Sequence, residues 1–177
     1  MDEIIIKEKM KKSISDFRLP RYDEIANVGL YLEQVVKYIN IYLRPLGQVE
    51  ITASMISNYV KQKLVEAPVK KQYYAEHIAR FILIAIMKLV VTLDDIRLMF
   101  NIQRMGYEFK MSYDYFCDEF ENRLKYAFGL IEVPEKLGTT VSDAKELMDV
   151  GISTAVNKIY LDKYIAAFRD MTEEPAK

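Results

Sequence analysis

The sequence predicts an all-α protein with one small winged or hairpin element around residues 64–74. Three observations carry this. Six Gly, five Pro and no Trp in 177 residues leave few turn signals, which favours long helices over many short strands. Apolar residues recur at helical spacing through most of the chain. A composition of 51% hydrophobic and 29% charged residues excludes disorder and collagen-like repetition, and a chain of this length buries roughly 70% of its unfolded surface.

The elements follow in order. Leu32, Val35, Val36, Ile39 and Leu43 keep the i, i+3, i+4, i+7, i+11 spacing of a helix with one apolar face, and Pro45 and Gly47 stop it. Thr52 is a good N-cap for a short helix carrying Met55, Ile56, Tyr59 and Val60 and ending near Leu64. Two helices joined by a tight Pro-Leu-Gly turn form a helix-turn-helix candidate. Residues 65–73 combine Pro68 with two adjacent lysines and read as a loop or small hairpin that presents charge. Ile78, Phe81, Ile82, Ala85, Ile86 and Leu89 share the face of the next helix; Thr92 caps the one after it, with Asp94 and Asp95 in the first turn, where the helix dipole favours acids. Ser112 opens a helix lined by Tyr113, Phe116, Cys117, Phe120, Leu124 and Phe128. Pro134 and Gly138 separate it from a last helix over about 142–171, and the tail from Thr172 to Lys177 is expected to fray.

Charge is unevenly placed. The totals of 25 basic and 26 acidic residues give a net charge of -1. Residues 1–43 are neutral, 44–90 carry seven basic against three acidic residues, and 91–177 carry eleven basic against sixteen acidic ones. The basic middle marks a candidate nucleic-acid-binding segment, and the acidic remainder is expected to face away from it. One Cys and one His exclude disulfide frameworks and multi-His metal sites; no cofactor and no catalysis are expected. The beginning of the chain lacks a basic, long-apolar leader pattern, and the most apolar run, 81–91, is too short to span a bilayer. The expectation is a cytoplasmic protein with no membrane partner.

At residues 51–96 a resemblance appears. The run from Ile51 to Val65, then Pro68, the Lys71-Gln-Tyr73 element, Ile78-Ala-Arg80-Phe81 and Thr92-Leu-Asp-Asp-Ile96 resemble the DNA-binding head of the MerR family. Where that pattern carries an arginine two positions before the tyrosine, this chain has Ser57; its turn glycine is Lys63. The whole chain, including Leu19-Pro-Arg-Tyr22 and Leu30-Tyr-Leu-Glu-Gln-Val35, also resembles an uncharacterised bacterial family in which such a head precedes a helical tail. The resemblance implies an N-terminal extension over 1–27, a winged helix-turn-helix DNA-binding domain over 28–104 and a helical dimerisation or ligand-sensing region over 105–177. The function it implies is a transcriptional regulator acting as a homodimer on double-stranded DNA, with a possible small-molecule effector.

On this reading Ser54, Ser57 and Asn58 are candidate base or sugar contacts, and Tyr59, Lys61, Lys63, Lys70, Lys71 and Tyr73 candidate phosphate contacts. Blander roles stand beside these: the lysines as a solvated face, the two tyrosines as core. His77 reads as a capping or surface hydrogen-bonding residue, Cys117 as a buried inert thiol, and the acids at 114, 118, 119 and 121 as a solvated face. The alternative function is a helical protein-interaction module that keeps the scaffold without binding DNA.

Overall fold

Seven α-helices follow one another among the described residues, 2–173, of the computed structural model. They are α1 (Asp2–Ser13), α2 (Leu32–Leu43), α3 (Ala53–Lys61), α4 (Ala75–Met87), α5 (Leu93–Gly106), α6 (Phe109–Ala127) and α7 (Asp143–Glu173), with short 3-10 turns at Tyr22–Glu24 and Arg44–Leu46. The most apolar run of the sequence becomes the middle of the molecule. Ala75 and every residue from Ile78 to Met87 are buried, because α2, α5, α6 and α7 pack against α4 from different sides. A helix apolar all round is stable in water only when surrounded in this way. None of the helices is long and apolar enough to cross a membrane.

The first helix lies in the stretch expected to be an extension. Ile6, Met10, Ile14 and Phe17 are buried at i, i+4, i+8 and i+11, while Ile4 and Ile5 face solvent. That helical spacing is present in the sequence, but the exposed isoleucines and the lysines between them blur it. The face rests on α7, and Lys163 Nζ donates to Ser13 Oγ at 3.0 Å.

Residues 18–24 form a clamp on α6. Arg21 Nη1 reaches Glu121 Oε1 at 2.7 Å and its Nη2 reaches Asp118 Oδ1 at 2.7 Å. Glu121 also accepts the Leu19 backbone N–H at 2.9 Å, and Asp114 accepts that of Tyr22 at 2.8 Å. The Tyr113 hydroxyl donates to the Pro20 carbonyl at 3.0 Å. Asp118 is exposed, but Glu119 and Glu121 are buried. They are ion-paired to Arg123 and Arg21, so the expectation of a solvated acidic face fails for these two: carboxylates enter the interior when each has a guanidinium partner.

The all-helical class is as expected, but the paired-strand hairpin around 64–74 is not present. Among the described residues there are two isolated antiparallel bridges, Val69 to Gln72 and Leu30 to Tyr73. The chain reverses across Lys70 and Lys71, with φ of 50° and 66°, and reciprocal hydrogen bonds of 3.0 and 2.9 Å join Val69 and Gln72. Pro68 has no N–H to extend the ladder. Tyr73 exchanges its backbone bonds, 2.9 and 2.8 Å, with Leu30 instead. Gly29 allows this approach, because a Cβ there would lie 2.7 Å from the Gln72 side chain.

Candidate functional site

The basic segment is organised around α3. Thr52 caps it, its hydroxyl accepting the Met55 N–H at 3.2 Å. Asn40 on α2 fixes where it starts: its side-chain amide donates to the Ile51 carbonyl at 2.8 Å and accepts the Ile51 N–H at 2.9 Å. Ile56 and Tyr59 are buried. Ser54, Ser57, Asn58 and Lys61 are all exposed and lie at i, i+3, i+4 and i+7, one stripe on the opposite face. Asn58 Oδ1 accepts from Gln62 within this stripe at 3.0 Å.

The end of α3 is a Schellman turn. The Lys63 N–H bonds the Val60 carbonyl and the Leu64 N–H bonds the Tyr59 carbonyl, both at 2.9 Å, with Lys63 left-handed at φ 56°. The end of α6 is built in the same way, with Gly129 at φ 72° in that place. Glycine adopts this conformation freely, whereas a side chain pays for it. Three residues other than glycine have positive φ among the described residues, and all are lysines of this segment: Lys63, Lys70 and Lys71. Each is exposed. Among the described residues none of them, nor Lys61, has an acidic partner within ion-pair distance, in contrast to Arg18, Arg21, Arg80, Lys110 and Lys145.

Two further residues hold the lysine-bearing turns. His77 Nδ1 accepts the Tyr74 N–H at 3.0 Å, so Nε2 carries the hydrogen facing the Ala67 carbonyl 3.3 Å away. The histidine thus fastens the 67–74 loop to α4. Arg97 on α5, paired with Asp94, donates to the Lys63 carbonyl at 3.4 Å. Its position outside the basic segment hides that role from sequence reasoning.

The two tyrosines are core residues. Tyr59 is 2% and Tyr73 6% exposed; both rings face Phe81, with centroids 6.5 and 5.7 Å away. Burial pushes both hydroxyls above their ordinary titration range. They shape the support under the turns, and the surface groups that remain are Ser54, Ser57, Asn58, Lys61, Lys63, Lys70 and Lys71. Arg80, part of the motif that carries the resemblance, is also buried: Glu76 holds it at 2.7 Å and the Phe109 ring lies 4.0 Å from its Cζ.

A second feature lies in the C-terminal half. α5, α6 and the first turns of α7 line a half-open apolar pocket of about 220 Å³ formed by Met99, Gln103, Met111, Tyr115, Ala144 and Met148, among others. Gly138, at φ 67°, closes the 128–142 connection against it; a Cβ there would sit 3.3 Å from Lys145 Cε.

Comparison with curated proteins returns no match, and comparison with solved structures returns none. A family model described as a domain of unknown function, DUF1836, matches residues 20–116. The matched span begins at the clamp segment and ends within α6, between Tyr113 and Asp118, which hold that clamp. It crosses both the 27/28 and the 104/105 boundaries drawn from the sequence. It covers more than half of the sequence, and the chain belongs to the DUF1836 family.

Proposed function

We propose that the protein is a DNA-binding regulator that lays the outward stripe of α3 in the major groove and uses the lysines around it on flanking phosphates. The observation that carries this reading is the placing of Lys63, Lys70 and Lys71 at left-handed backbone positions. Turn chemistry alone favours Gly or Asn at such positions. Strain of this kind persists where it serves a function, and a cation at an exposed turn with no acidic neighbour is available to a phosphate. Ser54, Ser57 and Asn58 have the short reach and the donor–acceptor character that base edges and sugars require. The sequence likeness of this segment to the MerR head supports the same reading, without a strand-paired wing.

One recognition helix of nine residues gives modest affinity, and two half-sites double its contacts. The paired arrangement we propose uses α7. Leu147, Val150, Leu161, Ile165 and Phe168 are exposed and form one stripe on that helix, opposite the buried Ile152, Val156 and Ile159.

The test is selection of bound genomic fragments at two salt concentrations, followed by affinity measurements on a selected site. Four phosphate contacts contribute about -0.9 each to the slope of log K against log salt. Replacing Lys61, Lys63, Lys70 and Lys71 together by Gln, which keeps a comparable left-handed cost, is expected to flatten the slope by about 3–4. A quadruple variant that keeps the wild-type slope, or a wild-type protein that selects no fragment at low salt, sinks the proposal and leaves the protein-interaction module in its place.

A further inference from the structure

The pocket between α5, α6 and α7 is held open by polar ties between its walls. The Tyr107 and Ser142 hydroxyls share a hydrogen bond of 2.9 Å, which fastens the end of α5 to the start of α7, and Ser142 Oγ also accepts the Lys145 backbone N–H at 3.2 Å. The Tyr115 hydroxyl donates to Asp149 at 2.6 Å and joins α6 to α7. These bonds set the spacing of the three helices, and the apolar side chains between them do not fill it: Met99 and Ile102 from α5, Met111 from α6, and Ala144, Leu147 and Met148 from α7. Met111 is 59% and Leu147 40% exposed, so two of these apolar wall residues stand in water.

Charge on the wall is cancelled where it stands. Lys145 Nζ is 2.7 Å from Asp149 and lies over the Tyr115 ring, 5.1 Å from its centroid. Gln103 offers no acceptor, since its Oε1 is buried and its Nε2 donates to the Tyr107 carbonyl. An ionic ligand therefore loses hydration here and gains no counter-charge, whereas an apolar one gains for each carbon it takes out of water. Apolar cavities are poorly hydrated and take up small hydrocarbons, and the thioether arms of Met99, Met111 and Met148 adapt to the shape of what enters.

We propose that this pocket binds a small, uncharged, apolar molecule by hydrophobic burial alone, with no ion pair and no hydrogen bond fixing it. A molecule of one or two rings suits the 220 Å³ available. This binding requires no DNA, so it succeeds or fails independently of the function proposed above.

The experiment uses the full chain with its methionine methyls labelled with carbon-13. The probes are benzene, toluene and ethylbenzene, with benzoate and benzylammonium as charged counterparts of toluene. The hydrocarbons are expected to shift the methyl signals of Met99, Met111 and Met148 while leaving those of Met10 and Met55 in place. Each added carbon is expected to tighten binding about fourfold, the worth of one buried methylene at about 0.8 kcal/mol. Both charged probes are expected to bind at least about tenfold more weakly than toluene, and Ala144→Phe, which fills the pocket, to abolish binding of all five. The proposal is overturned if the hydrocarbons leave the three methyls unmoved, if affinity does not rise along the series, if either charged probe binds as tightly as toluene, or if a folded Ala144→Phe still binds. If Ala144→Phe does not fold, the wild-type series and the charged probes decide the matter.

Discussion

Arg80 and Cys117 show how far a side chain's surroundings reset its chemistry. Arg80 is 5% exposed, with its guanidinium carbon 4.0 Å from the Phe109 centroid and 4.9 Å from that of Phe100. One Glu76 oxygen takes two of its donors, and Nη1 has no partner. A cation survives here because aromatic faces and one carboxylate replace water. Cys117 is fully buried between the rings of α6, and burial pushes its thiol up to about 12. Since the thiolate is the reactive form, Cys117 is expected to stay unmodified by a disulfide reagent at pH 8 in the native state and to react at once in denaturant; the release of reagent thiolate measures both. Fast native-state labelling would contradict the packing of α6. The inert thiol was readable in the sequence from its place in the Phe116–Phe120 stripe. The burial of Arg80 was not: a formal charge on an amphipathic helix reads as solvated, and the two phenylalanines that cover it lie 20 and 29 positions further along.

Among elements, the helices from α2 to α7 were legible and α1 was not. α2, α3 and α4 follow the sequence expectation because each has its apolar positions in register. α1 escaped because two of its isoleucines are exposed. The turn at 69–72 was placed correctly, but its geometry was hidden, since Lys-Lys carries none of the signals of a left-handed pair. Left-handed backbone costs a side-chain-bearing residue about 1–2 kcal/mol, part of which glycine returns as entropy in the unfolded chain. Lys70→Asn with Lys71→Gly is therefore expected to raise unfolding stability by about 1 kcal/mol, read as a higher urea midpoint at unchanged slope. An unchanged or lower midpoint would mean that the strain at this turn is offset by contacts of the lysine side chains.

At the scale of the whole molecule, what joins distant parts is the clamp at 18–24. Glu24 is held down to about 2, from an ordinary 4.5, first by the Arg18 side chain and then by the Arg21 backbone N–H. A depressed folded value means stability that is present above pH 4.5 and lost as pH falls toward 2. Unfolding midpoints at pH 6, 4 and 2.5 are expected to fall more steeply for wild type than for Glu24→Gln; parallel curves would show that the Glu24 carboxylate contributes nothing. Its partners on α6 lie about a hundred residues away, and no periodicity announces a contact at that separation. Long separation also governs α4, the helix buried on every side. Part of its cover is α7, whose Gly151 lies against the Met87 side chain, about 64 residues after α4 ends. At the ~5–20 residues per second of translation, the most apolar helix of the chain waits about 3–13 s on the ribosome before this wall is synthesised. Until then the apolar faces that α7 will cover stay open to water, and their burial waits on the end of synthesis.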